Sequence, residues 1–276
     1  MEWPSTFALF PTHKAIATKI LNLLEQDERV LGVYLSGSFA YGQPDRYSDL
    51  DVFILVQAQD REQTKQDHAN LRALVGDIVS EFPATHLGNP NQIITLYRDS
   101  YPVHVDYQYR VQAELAPRQK DTGVLILLDR TGALRDWRER CANAADSVTP
   151  DETALQYFED RFWTWCIYTD SKMRRGELWE ARDALEYLRT NVLLRLAYYD
   201  HGLPYEGNRR VERKFPQETI RLLETTLPIG HSQKAYADML AALANAYVLL
   251  MDSVSRQLGV PIQQKDRPYF LTTLNR

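Results

Sequence analysis

Apolar and polar positions change their spacing twice along the chain. From Thr12 to Gln26 the apolar residues Ile16, Ile20, Leu23 and Leu24 recur on one helical face, with Thr12 as the capping residue. Short apolar runs at 30–36 (VLGVYLS) and 50–56 (LDVFILV) then read as neighbouring strands, and the turn-rich GQPDRYSD between them reads as a functional loop. A polar segment over about 61–80 reads as helix. NQIITLYRD and YPVHVDYQYR read as two strands joined by a tight turn at Asp99-Ser100-Tyr101-Pro102, and GVLILLDRTGAL supplies a last strand and turn.

Beyond about residue 150 the pattern becomes helical throughout. TPDETALQYFEDRFWTWCIY opens on a capping Thr149 or Asp151 with Pro150 between them. WEARDALEYLRTNVLLRLAYYDHG, FPQETIRLLETTL and SQKAYADMLAALANAYVLLMDSVSRQLG predict three or four further helices, with Gly202 and Gly259 at their C-terminal caps. The expected fold class is therefore α+β: a mixed β-sheet with flanking helices over residues 1–147, followed by an all-α helical bundle over 148–276. No internal repeat or low-complexity tract interrupts this division.

Composition narrows the class. Hydrophobic residues at 44% and charged residues at 25% describe an ordinary globular chain able to bury a core. No stretch reads as the run of roughly 18 apolar residues that spans a bilayer, and no basic region precedes an apolar one at the N-terminus, so a cytoplasmic protein without a membrane partner is expected. Cys141 and Cys166 both fall in helical-looking segments without a Cys/His cluster, which argues against a disulfide framework or a zinc site. The net charge of -5 argues against binding by neutralisation of a long phosphate backbone, so no nucleic-acid partner is expected and a small or cationic substrate fits better.

The chemistry concentrates between Leu35 and Asp51. A Gly37-Ser38 turn leaves one strand, and an Asp49-x-Asp51 pair opens the next. Alternate strand residues share a face, so the two carboxylates project together and need a cation to offset their repulsion. Magnesium suits such a pair, because it takes a few carboxylate oxygens and completes its shell with water and substrate phosphates. Gly37 lets the backbone approach a phosphate, and the Ser38 hydroxyl with nearby amides can donate to a triphosphate. Asp45 reads as a turn former, and His13, His68, His86, His201 and His231 are scattered without metal-ligand spacing.

GSFAYGQPDRYSDLD resembles the signature of the DNA polymerase beta-like nucleotidyltransferase superfamily, a Gly-Ser turn followed after about ten residues by Asp-x-Asp. The resemblance implies a third carboxylate on a later strand, and Asp106 in VHVDYQY matches it. His104, Asp106 and Gln108 then face the site, with Val103, Val105, Tyr107 and Tyr109 opposite. In the second half Phe162-Trp163, Tyr168, Lys172, Arg175, Glu177, Ala181, Leu193-Leu194-Arg195 and FPQETIRLLETT are similar to the helical domain of streptomycin-type aminoglycoside adenylyltransferases, and more loosely to lincosamide nucleotidyltransferases.

The resemblance implies transfer of a nucleoside monophosphate, AMP from ATP, to a hydroxyl of a small molecule such as an aminoglycoside, with pyrophosphate released. Asp49 and Asp51 hold one or two magnesium ions in this reading, and Asp106 is the general base or a ligand of the second metal. Lys172 and Arg175 are placed to reach the triphosphate or to lie on a solvated helix face, and Asp170, Asp183 and Glu186 read as ordinary surface or structural carboxylates more than as the lining for a polycationic acceptor. Trp163, Trp165, Phe158 and Phe162 read as inter-domain packing more than base-stacking residues. The alternatives are the same chemistry on a protein or RNA target, and a non-catalytic nucleotide-binding module. Monomer and homodimer both remain open.

Overall fold

The computed structural model describes residues 3–144, 149–264 and 267–274. The chain divides into two compact units, Met1–Asp146 and Ser147–Arg276. The boundary expected between 147 and 148 falls outside the described residues.

The first unit is built on a six-stranded mixed sheet. Its strands are β1 (Val30–Ser36), β2 (Leu50–Val56), β3 (Ile78–Ala84), β4 (Asn89–Tyr97), β5 (Val103–Arg110) and β6 (Leu125–Asp129), in spatial order β3-β4-β5-β2-β1-β6. β2 and β5 run parallel, and every other neighbouring pair is antiparallel. Helices α1 (Pro11–Leu24), α2 (Gly37–Ala40), α3 (Arg61–Val75) and α4 (Ala133–Ala142) complete the unit.

Two corrections concern local signals. α1 begins at Pro11, whose fixed φ and missing N–H suit the first helical position, and no side chain caps it, so Thr12 lies inside the helix. The helix expected over 61–80 stops at Val75, and β3 follows. β3 escapes sequence reading because IVSEFPA lacks alternation and contains Pro83, tolerated here because β3 is an edge strand.

The sheet's two faces differ. Val33, Leu35, Val52, Ile54, Tyr107 and Tyr109 pack with Ile16, Ile20 and Leu24 of α1 and Val75 of α3 into the main core. On the opposite face Tyr34 and Leu55 join Leu134, Trp137 and Cys141 of α4 in a smaller cluster at the β1–β6 end. α3 lays an unusual polar stripe on the main-core side. Buried Arg72 pairs with Glu81 at 2.8 Å and donates to the Tyr109 hydroxyl at 3.1 Å, so its charge and donors are satisfied without water.

The second unit is helical: α5 (Glu152–Arg174), α6 (Leu178–Leu188), a π turn (Arg189–Leu193), α7 (Leu194–Asp200), α8 (Val211–Lys214), α9 (Gln217–Glu224), α10 (Gln233–Leu258) and α11 (Arg267–Leu274). Of the two capping candidates, Asp151 caps α5 by accepting from the Ala154 amide. Gly202 and Gly259 take the left-handed conformation expected after α7 and α10. Phe162 and Trp163 are buried inside this unit's own core, where Phe162 stacks on Tyr247 of α10 at 3.7 Å.

Among the described residues α10 is the one helix long and apolar enough to cross a membrane by length and composition. Its inward face, including Leu243, Ala246, Tyr247 and Met251, is core of the helical unit.

Candidate active site

β1 ends at Ser36, and the chain turns at once into the single helical turn α2. The turn depends on Gly37, whose φ of +69° lies in the left-handed region and whose missing Cβ leaves room for Asp51. Ser38 is 3% exposed, and its hydroxyl has no hydrogen-bond partner among the described residues. Phe39 anchors the turn from beneath, packed against Phe7, Phe10 and His13.

The loop to β2 is braced at several points. Asp45 accepts from the Tyr47 amide at 2.8 Å, making the turn expected of it. The Ser48 carbonyl lies 3.0 Å from Nε2 of buried His13 on α1. Tyr41 donates to the Lys120 carbonyl at 3.1 Å, with its ring against Gly123. His13 and Tyr41 are therefore positioning residues of the loop, and no short-range pattern marks them.

Sheet pairing then gathers the carboxylates. Asp51 stands opposite Ser36 on β1 and opposite Asp106 on the parallel neighbour β5, so β1, β2 and β5 present Ser36, Asp51 and Asp106 in one row. One carboxylate oxygen from each of Asp49, Asp51 and Asp106 lies within 4.8 Å of the others. Alternation on β5 is complete: Val103, Val105, Tyr107 and Tyr109 are buried, while His104, Asp106 and Gln108 are partly exposed on the site face.

Three carboxylates this close repel one another unless a cation or proton offsets them. His104 stands beside this cluster. Its Nε2 lies 2.9 Å from Oδ1 of Asp106, which raises the imidazole pKa against the opposing effect of burial, and Asp49 and Asp51 add to the rise. The oxygen-only donor set, an unpartnered Ser38 hydroxyl and a turn that only glycine fits suit a divalent cation with bound phosphate.

The helical unit holds the other expected residues. Lys172 lies on the last turn of α5, 2.9 Å from Glu177 and 3.0 Å from Glu180, and these carboxylates push its pKa up. Arg175, the C-terminal cap residue of α5, is exposed. Asp170 pairs with Arg174 at 2.6 Å, Glu186 pairs with Arg189, and Asp183 is exposed. Trp165 and Tyr168 remain 39% and 37% exposed, and the Trp165 ring lies against Tyr168 and Tyr187 of its own unit.

Comparison with known proteins places the chain. The streptomycin adenylyltransferase family model matches residues 11–269. A solved aminoglycoside 6-adenyltransferase from Bacillus subtilis aligns at 16% identity over 93% of this chain and 94% of that one, with a TM-score of 0.45. A nucleotidyltransferase-like protein from Exiguobacterium sibiricum 255-15 aligns at 13% identity over 89% and 77%, with a TM-score of 0.40. Comparison with curated proteins returns no match. Because the family match runs from α1 into α11 and so spans the sheet, the carboxylate row and the helical unit, the chain belongs to the streptomycin adenylyltransferase family and is an adenylyltransferase.

Proposed function

We propose that the protein transfers AMP from ATP to a hydroxyl of a streptomycin-type aminoglycoside and releases pyrophosphate. The observation that carries this reading is the meeting of Asp49, Asp51 and Asp106 beside the Gly37-Ser38 turn. A reaction that moves a nucleotidyl group needs positive charge at the phosphates, a surface for the departing pyrophosphate and an acceptor for one alcohol proton.

Asp49 and Asp51 would hold Mg²⁺, which supplies Lewis-acid stabilisation of the triphosphate when bound. The Ser38 hydroxyl and the amides of the turn donate to the terminal phosphates. Asp106 takes the proton from the acceptor hydroxyl or joins the metal shell, with His104 fixing the direction of its free oxygen. Lys172 and Arg175 are assigned to the outer charge of the triphosphate, and Lys172 exchanges Glu177 and Glu180 for phosphate in that role. Asp183 is assigned to a cationic acceptor, and Asp170 and Glu186 join it where they exchange Arg174 and Arg189 for the acceptor's ammonium groups. The reading places the enzyme in the cytoplasm, where ATP is plentiful.

The test is pyrophosphate release from each of the four nucleoside triphosphates with streptomycin, other aminoglycosides and lincosamides. Release with ATP and an aminoglycoside supports the proposal. Labelled ATP transferred to protein or RNA in a lysate, with no label on small molecules, overturns it.

A further inference from the structure

We propose that the open β4–β3 half of the site face is the shelf on which the acceptor lies, and that Phe82 and Ile94 select the acceptor ring. The inference rests on the nucleotidyl-transfer reading above and extends it to a surface of stated residues.

The register continues the carboxylate row. Asp106 stands opposite Ile94 on β4, and Ile94 stands opposite Phe82 on β3. The row therefore reads Ser36, Asp51, Asp106, Ile94, Phe82 across five strands, with all five side chains on one face. At about 4.8 Å per strand, Phe82 lies roughly 10 Å beyond Asp106. That length accommodates one saturated ring with its substituents.

In-line chemistry assigns the two ends. The attacking oxygen must face the phosphorus from the side opposite the departing pyrophosphate. The Gly37-Ser38 turn that receives the terminal phosphates sits at the β1 end of the row, so the acceptor occupies the β4–β3 end. Asp106 stands between them, where a proton leaves the acceptor.

The chemistry of the shelf names the kind of surface it takes. Phe82 is 44% exposed, and Ile94 and Leu96 are half-buried. The acidic residue of β3, Glu81, turns to the other face, where Thr95 donates to it at 2.9 Å and Arg72 pairs with it. Within the first unit, among the described residues, α1 and α3 pack against that other face, and α4 packs on the site face toward β1 and β6. The exposed strip thus offers ring and aliphatic surface rimmed by the polar side chains of Gln108 and His104. Such a strip fits the C–H face of a hydroxylated aminosugar or aminocyclitol, with its ammonium groups directed elsewhere.

The experiment is steady-state pyrophosphate release with ATP and streptomycin, or with another aminoglycoside of a panel, in wild type, Phe82→Thr and Phe82→Trp. Threonine keeps the β preference of the strand, so both variants are expected to melt within a few degrees of wild type. Phe82→Thr is expected to raise the acceptor KM about tenfold while the KM for ATP stays within about twofold. Phe82→Trp should restore the acceptor KM to within about threefold of wild type, because a ring is restored. A wild type active on an aminoglycoside whose acceptor KM is unchanged in Phe82→Thr, or shifts together with the KM for ATP, overturns the shelf alone. A wild type that releases no pyrophosphate with any aminoglycoside overturns the acceptor reading, and the shelf with it.

Discussion

Gly37 and the carboxylate of Asp51 compete for the same space: a Cβ on Gly37 would stand 2.0 Å from Oδ2 of Asp51. The backbone there also has a φ of +69°, so one residue serves both the turn and the cation site. Gly37→Ala is expected to cost about 1–2 kcal/mol of stability through the left-handed backbone. Its effect on activity should be larger, roughly a hundredfold or more in kcat, because Asp51 must leave its position. Parallel urea melts and pyrophosphate assays separate the two effects, and a variant that loses stability but keeps kcat contradicts this account.

The carboxylate cluster predicts how the protein responds to metal. Wild type should melt at a higher temperature as Mg²⁺ is added, by an amount equivalent to about 2.7 kcal/mol at a hundred times the dissociation constant. Asp51→Asn removes one of the three carboxylates that gather at the cation site. It should lose both the Mg²⁺-dependent rise and pyrophosphate release, and chelation of the wild type should abolish turnover reversibly. Full activity of Asp51→Asn rules out the assigned metal role.

Acid stability should be set on the far side of the sheet. Arg29 holds the Asp27 carboxyl well below its ordinary range, although burial opposes this, and His68 contributes a further hydrogen bond at 3.1 Å. Burial lowers the pKa of His68 from its ordinary 6.5. Both groups bind fewer protons folded than unfolded, so both contribute stability that is present at neutral pH and lost on acidification. The His68 contribution falls away below pH 6.5, and that of Asp27 below its ordinary 3.8. Urea midpoints measured from pH 7 to 3 should fall less steeply through pH 6 to 5 in His68→Gln than in wild type. Equal slopes in the two proteins contradict the assignment.

In the helical unit, Glu159 is 5% exposed and accepts hydrogen bonds from Tyr247 at 2.7 Å, Trp163 at 3.1 Å and Arg267 at 3.2 Å. Arg267→Met leaves this carboxylate buried without its cation and is expected to cost about 3–5 kcal/mol. Adding Glu159→Gln should recover a large part of that loss, since no buried charge is then uncompensated. A double-mutant cycle by urea denaturation measures the coupling, and strict additivity contradicts a charge-based explanation.

Much of the site was legible because its parts are local. The strands read at 30–36 and 50–56 match β1 and β2, since each is a compact apolar run bounded by turn residues. Gly37, Ser38, Asp49 and Asp51 lie on consecutive elements, so their proximity follows from one loop. Asp106 was reached through resemblance, and its meeting with Asp51 depends on a parallel pairing between strands 55 residues apart at that point. β3 was missed because an edge strand is only partly buried and is not compelled to alternate.

The amino-acid sequence by itself determined the class of each half, the glycine turn and the acidic pair, because helical periodicity, strand runs and turn residues act over a few neighbouring positions. Tertiary structure decided which side chains share a row. Pairing β5 with β2 on one edge and β4 on the other set Asp106 beside Asp51 and placed Ile94 and Phe82 beyond it. It also decided that Lys172 is held by Glu177 and Glu180 and that Trp165 remains partly exposed. The reason is that strand register and helix packing are fixed by burial of the whole unit, and no short stretch of sequence contains that sum.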